Sequence, residues 1–215
     1  MMEELKRCLT KRGMIDGENE EYFQAAVLVP LVQSEDGLAV LFEVRAGHLA
    51  WQPGEVCFPG GRIEAKDLEA KRAAVRETSE ELGLKEAEIE VLGEMAPVIS
   101  PIGVILYPYV GVLKGEIKAN PDEVAEVFSV PLAELLEMKP EVGKMEMATR
   151  PTKEFPLHLL PGYDDGWKRR KNYAVYFYPW RDKVIWGLTA LVLQRFLTIY
   201  REAEQRKKAS RSTAG

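Results

Sequence analysis

The sequence predicts an α/β fold built on a mixed β-sheet. Six apolar runs have strand length and are rich in β-branched or aromatic residues: Ala25 to Val32, Leu38 to Val44, Ile89 to Met95, Val104 to Leu113, Val124 to Val130 and Tyr173 to Tyr178. Two longer stretches, Leu68 to Leu82 and Val184 to about Glu204, carry helical patterns instead. Strict β-α-β alternation is absent, and no glycine-rich phosphate loop follows the first run. Rossmann and P-loop arrangements are therefore disfavoured.

Taken in order, residues 1–20 lack the apolar stretch of a secretion signal and read as a short amphipathic helical extension. The first two strands flank Ser34-Glu-Asp-Gly37, whose turn chemistry predicts an antiparallel hairpin. The Leu68 to Leu82 helix has a good N-cap in Asp67 and a stop in Gly83. Residues 21–200 then form the main domain, and 201–215, polar and basic, a tail expected to be disordered. A chain of 215 residues that is 46% hydrophobic can bury one substantial core, so one domain is the default.

Bulk properties exclude several classes. The most apolar stretch, Val184 to Tyr200, carries Gln194 and Arg195, which argues against a membrane span. A net charge of −5 argues against a nucleic-acid surface, while a small anionic ligand needs only a local basic pocket or bound cations. Cys8 and Cys57 form no metal or redox motif, and reduced thiols suit a cytoplasmic location. His48 and His158 lack the companions of a zinc site. A homodimer is left open.

The helix after Asp67 carries the chemistry. At about 100° per residue, Leu68, Val75 and Leu82 align as a buried stripe and the glutamates lie on the other side. Glu77, Glu80 and Glu81 crowd one sector at i, i+3 and i+4 spacing, a repulsion that Arg76 or a bound cation would relieve. Clustered carboxylates on a rigid helix suit hard ions such as Mg²⁺ or Mn²⁺. Ala73 and Ala74 leave room for another chain segment, and Phe58-Pro59-Gly60-Gly61 is the candidate, its glycines letting backbone approach a metal or phosphate. Glutamates on a helix are usually a solvated face. Gly60-Gly61 upstream and Leu82-Gly83-Leu84 downstream make the functional reading much more specific.

In this context the segment resembles the Nudix box, matching at Gly61, Arg76, Glu77, Glu80, Glu81, Gly83 and Leu84. Asp67 stands where the pattern's first glutamate is expected, with one extra residue before Arg76, and Thr78 replaces an apolar position. The extra residue, with Leu41 to Ala46, Gly54 and Phe58 to Gly61, resembles the coenzyme A pyrophosphatase branch, although Ala50 takes the place of that pattern's second arginine. Asp122-Glu123-Val124, Phe128 to Leu132 and Trp186 to Thr189 also resemble that branch.

The resemblance implies a Nudix α/β/α sandwich hydrolysing the pyrophosphate bond of coenzyme A or its derivatives, with another nucleoside diphosphate derivative such as ADP-ribose or NADH as the alternative substrate and a non-catalytic Nudix binding module as the third alternative. It implies Glu77, Glu80 and Glu81 as Mg²⁺ or Mn²⁺ ligands, Glu80 alternatively as a base, and Gly60 or Gly61 supplying a carbonyl. Arg76 would orient the glutamates. Arg45 is either a strand cap or a phosphate contact. Glu123 is a turn residue, a further ligand or a general base. The run Lys168 to Lys171 is a solvated loop or, through Lys168, a contact to substrate. Trp51 and Trp167 would stack an adenine or fill a core.

Overall fold

The structure, a computed structural model, describes residues 22–35 and 37–212. The helical extension expected over residues 1–20 lies outside them. The strands along the chain are β1 (Phe23–Ser34), β2 (Gly37–Arg45), β3 (Val56–Cys57), β4 (Gly60–Arg62), β5 (Ile89–Glu94), β6 (Val98–Ile99), β7 (Val104–Leu113), β8 (Val124–Pro131), β9 (Glu141–Thr149), β10 (Lys168–Trp180) and β11 (Lys183–Trp186). Three α-helices accompany them: α1 (Ala70–Leu82), α2 (Leu132–Glu137) and α3 (Gly187–Ser212). Strands in a sheet with helices are the α/β class expected. The chain forms two compact units, one containing residues up to Val29 and Pro59–Lys118, the other Pro30–Phe58 and residues from Ala119 onward.

In the first unit, the start of β1 pairs antiparallel with β4, Ala26 opposite Gly61 and Val27 opposite Gly60. Strand β7 pairs antiparallel with β5 and with β6. Helix α1 lays Ala73 and Ala74 against Ala26, with Ile63, Tyr107 and Tyr109 around them. Small side chains there let helix and strand approach closely, but the neighbour at Ala73 and Ala74 is Ala26 of β1 and not the segment 58–61, of which Gly61 lies against Glu77 instead.

The helix departs from its expected start. Asp67 is not its cap but the end of a 3₁₀ turn, Ala65–Asp67; Glu69 occupies the N-cap and makes no side-chain capping bond. Leu68 takes the intervening position with φ +60°, and the Glu69 N–H donates to the Asp67 carbonyl at 2.6 Å. This tight turn absorbs the extra residue of the sequence pattern. It also turns Leu68 outward, 89% exposed, so the expected stripe of Leu68, Val75 and Leu82 is replaced by a buried face of Ala73, Ala74, Thr78, Glu81 and Leu82. Glu81 thus lies on the buried side, not the opposite one. Alanines contribute little to an apolar pattern, which is why counting large residues misplaced the face. At the other end Gly83 adopts the left-handed conformation and donates to the Ser79 carbonyl, the stop expected of it.

In the second unit, the end of β1 pairs with β2 across the predicted hairpin, Ser34 opposite Gly37. The Ser34 hydroxyl donates to the Gly37 carbonyl at 2.8 Å. Strands β3 and β8 also pair antiparallel with β2. Phe42, Val40, Val130, Leu135, Ile185, Leu193 and Leu197 are buried. A series of stacked rings runs from Phe58 through Phe42 and Phe128 to Trp180.

A separate three-stranded sheet has the order β11-β10-β9. Its β9 was not anticipated, because EVGKMEMAT mixes charges and methionines without a clean alternation. Strand β10 begins at Lys168, so the basic run is extended strand paired with Thr149, Ala148 and Met147 and not a loop. Helix α3 starts later than the pattern, because Val184–Trp186 belong to β11, and continues through Ser212. Residues 201–209 are Arg, Glu, Ala, Gln and Lys, all good helix formers. Among the described residues no helix is long and apolar enough to cross a membrane.

Candidate active site

Arg76 organises one end of the site in the first unit. Its Nε and Nη2 donate to the two Asp67 carboxylate oxygens at 2.8 and 2.9 Å, a bidentate pair, and Nη2 also reaches the Arg62 carbonyl. Its Nη1 lies 2.9 Å from Glu77 Oε1 and 3.2 Å from Glu80 Oε2. The Arg76 and Asp67 side chains are 14% and 3% exposed, so the pair between them is shielded from water. Donation from Arg76 holds the Asp67 carboxyl down at about 2, with the Glu64 N–H helping, and Asp67 in turn raises the guanidinium above its ordinary value. One cation therefore neutralises part of a cluster of four carboxylates, those of Asp67, Glu77, Glu80 and Glu81. Sequence reasoning missed Asp67 as the partner of Arg76. Its standing in place of the pattern's acidic residue was the available signal.

The glycines set the other side. Gly60 has φ +149°, a conformation suited to glycine, and its N–H donates to Glu81 Oε2 at 2.8 Å. A side chain at Gly61 would place its Cβ 2.6 Å from the Glu77 carboxyl carbon. Strand β4 thus lies directly over the carboxylate face of α1, anchored by its register with β1. The group at Gly60 that faces Glu81 is the N–H. Glu81 is 4% exposed, while Glu80 is about half exposed at 51%. Thr78, which replaces an apolar position, is fully buried with its hydroxyl donating to the Ala74 carbonyl at 2.7 Å, so no polar atom is left unsatisfied by the exchange.

The remaining predicted residues belong to the second unit. Arg45 Nε donates to the Trp51 carbonyl at 3.2 Å, and its backbone pairs with Glu55 and Gly54. Glu123 accepts from the Ala46 N–H through its main-chain carbonyl at 2.8 Å. Lys168 bonds Asp164 at 2.9 Å, and its ammonium lies 4.5 Å from the centre of the Tyr163 ring. Trp51 and Trp167 are both well exposed, which rules out the core-filling reading; the Arg150 guanidinium sits over the Trp167 ring.

A family model for the NUDIX domain matches residues 22–149. The chain belongs to the Nudix hydrolase family. Its fold class is the mixed sheet with helices of the Nudix α/β/α sandwich. Among curated relatives, the chain is 33% identical over 173 residues to the uncharacterized Nudix hydrolase NudL of Photorhabdus laumondii, covering 80% of this chain and 81% of the relative. It is 32% identical over 193 residues to NudL of Escherichia coli K12, covering 88% and 89%. It is 38% identical over 137 residues to the mouse peroxisomal coenzyme A diphosphatase NUDT7, covering 63% of this chain and 57% of that protein. These relatives support membership of the coenzyme A pyrophosphatase-like branch of Nudix hydrolases.

Nudix hydrolases generally use divalent metals, and the donor set of this chain fits that chemistry in kind. Among the described residues no three acidic, histidine or cysteine side chains are grouped as a metal cage. Mg²⁺ does not need one, since it keeps several waters and takes one or two protein carboxylates. All the donors here are hard oxygens, and a glycine at position 61 leaves room beside the Glu77 carboxylate that a Cβ would fill.

Proposed function

We propose that this Nudix hydrolase cleaves the pyrophosphate bond of coenzyme A or its derivatives with Mg²⁺ or Mn²⁺, giving 4′-phosphopantetheine, or its acyl form, and adenosine 3′,5′-bisphosphate. The observation that carries the reading is the joining of Glu77, Glu80 and Glu81 to Gly60, Gly61 and Arg76 in one cluster, with Glu81 buried and Glu80 open to solvent. Similarity to the mouse coenzyme A diphosphatase supports the substrate class, over a little more than half of that protein's length.

Glu77, Glu80 and Glu81, with a Gly61 carbonyl, would hold the cations. When bound, such ions neutralise the phosphoryl oxygens and make a water nucleophilic near neutral pH. A water oxygen bonds to one phosphorus, the bridging P–O bond breaks, and the proton released passes to a carboxylate. Glu80 is our candidate acceptor in the first unit because its half-exposed side chain is open to solvent, with Glu123 the alternative. Arg76 fixes the direction of Glu77 and Glu80, and the Gly60 N–H fixes Glu81, so the carboxylates are oriented before substrate arrives. Arg45 and Lys168 are the cationic candidates for reading the 3′-phosphate.

Incubation with coenzyme A, dephospho-coenzyme A, ADP-ribose, NADH and dinucleoside polyphosphates in Mg²⁺, followed by product mass spectrometry, tests the assignment. Coenzyme A should be cleaved fastest, to the two products named. Ala50, in place of an arginine of the branch pattern, favours a second reading, hydrolysis of another nucleoside diphosphate derivative such as ADP-ribose. That reading takes over if no coenzyme A derivative is cleaved while one of the others is.

A further inference from the structure

Strand β9 is an edge. It pairs along its length with β10 and with no other strand among the described residues, and all nine of its residues are exposed or only half-buried. A flat strand of this length with an open row of backbone N–H and C=O groups is a template for another strand, and proteins that avoid such pairing shorten, bulge or cover their edges. The bulge in this hairpin lies in β10, between Arg169 and Lys171, and leaves β9 itself regular.

The sequence of β9 is complementary to itself. In an antiparallel pairing of two copies about a two-fold axis at Met145, Lys144 of each copy lies opposite Glu146 of the other. The same register sets Val142 opposite Ala148, Gly143 opposite Met147, Glu141 opposite Thr149 and Met145 opposite Met145. Both charged contacts are of opposite sign, an apolar residue faces an apolar one, and glycine leaves space for methionine. Shifting the centre by one residue in either direction brings Lys144 against Lys144 or Glu146 against Glu146, which is repulsive. Shifting it to Met147 sets Lys144 against Arg150. Shifting it to Gly143 avoids like charges but pairs only the first part of the strand. The register about Met145 is the one that uses all of β9.

The side chains are available for this. Glu146 Oε1 takes Arg169 at 2.7 Å within the same hairpin, leaving its second oxygen for an incoming ammonium. Val142 and Met145 are 56% and 49% exposed, one on each face of the strand, and would be covered together.

We propose that β9 is a self-association edge, through which two copies of this chain form a symmetric dimer by joining their three-stranded sheets into one antiparallel sheet of six, in the register about Met145. Isologous pairing of this kind closes on itself and does not propagate into a fibre.

The test is sedimentation velocity over a concentration series of the full chain, with the charge variants K144E and E146K and the double exchange K144E/E146K. A wild-type dimer is expected. Each single variant should raise the dissociation constant at least about tenfold, and the double exchange should restore it, because opposite charges again face each other. Oxidation of M145C should give an inter-chain disulfide, since the axis sets this residue opposite its own copy, whereas L92C, exposed in the first unit, should not. Circular dichroism of each variant confirms that it folds. A wild-type chain that stays monomeric throughout, or a dimer indifferent to both single exchanges, overturns the proposal and leaves Lys144 and Glu146 as guards of an unused edge.

Discussion

The cationic groups of the two units are held in very different ways. Arg76 is shielded, bidentate to Asp67 and in contact with Glu77 and Glu80, so its direction is fixed by several bonds at once. Arg45 and Lys168 each have a local partner, the Trp51 carbonyl and the exposed Asp164 carboxylate. Exposed contacts of that kind are screened by solvent and weak. A group meant to orient other protein groups must be locked before substrate arrives, whereas a group meant to meet a ligand phosphate can exchange a weak partner for a stronger one. The difference suits Arg76 to holding other protein groups in place and leaves the Arg45 and Lys168 side chains able to change partners.

The comparison is broken most severely at Arg76. Arg76→Ala leaves the Asp67 carboxylate buried without its bidentate partner, which should cost about 3 kcal/mol and lower the melting temperature by roughly 6–12 °C, with activity falling together with it. A melting curve unchanged by this substitution would mean that the cluster does not stabilise the unit. Gly61→Ala comes next. Its methyl group meets the Glu77 carboxylate, an overpacking worth about 1–3 kcal/mol, and the effect should fall mainly on kcat because the displaced group belongs to the carboxylate cluster. Wild-type kcat in a folded Gly61→Ala protein would show that the closeness of β4 to the helix is immaterial.

Asp67→Asn should be milder, about 1–2 kcal/mol, since an amide still accepts one hydrogen bond. Its pH dependence is diagnostic. The folded-state pKa of Asp67 is depressed from 3.8 to about 2, so its contribution is fully present above the ordinary carboxylate range and is lost as pH falls through about 2. Urea midpoints of wild type and variant should therefore differ at pH 6 and converge between pH 4 and pH 2. A constant gap would place the stabilisation elsewhere. The smallest effect on bond cleavage is expected at Arg45 and Lys168. Alanine at either should leave turnover of dephospho-coenzyme A within about threefold of wild type, while the preference for coenzyme A, worth roughly tenfold or more for a charge-assisted bond, disappears. Loss of dephospho-coenzyme A turnover would move these residues into the bond-breaking machinery.

The site was legible where its geometry is local. The spacing of Glu77, Glu80 and Glu81 on one helix needs only the helical period, and the Gly60-Gly61 pair advertises a close approach. Asp67 was visible as an acidic residue but was assigned to the wrong task, because the turn at Leu68 that frees it from capping depends on backbone strain with no compositional mark. The buried face of α1 was misplaced for a related reason, alanine and threonine being weak apolar signals. Strand β9 was illegible because its partner β10 begins with a basic run that resembles a loop, and pairing over that distance in sequence leaves no local signature.

The proposed role of the α1 carboxylates in hydrolysis stands or falls on Glu81→Gln, since this change keeps the size of the side chain and removes a charged oxygen. Turnover of coenzyme A should be measured at saturating Mg²⁺ alongside the melting temperature of the variant. The variant should remain folded with kcat lowered at least about a hundredfold, about 2.7 kcal/mol in the barrier. Near wild-type turnover by the folded variant would contradict it and remove Glu81 from the active site.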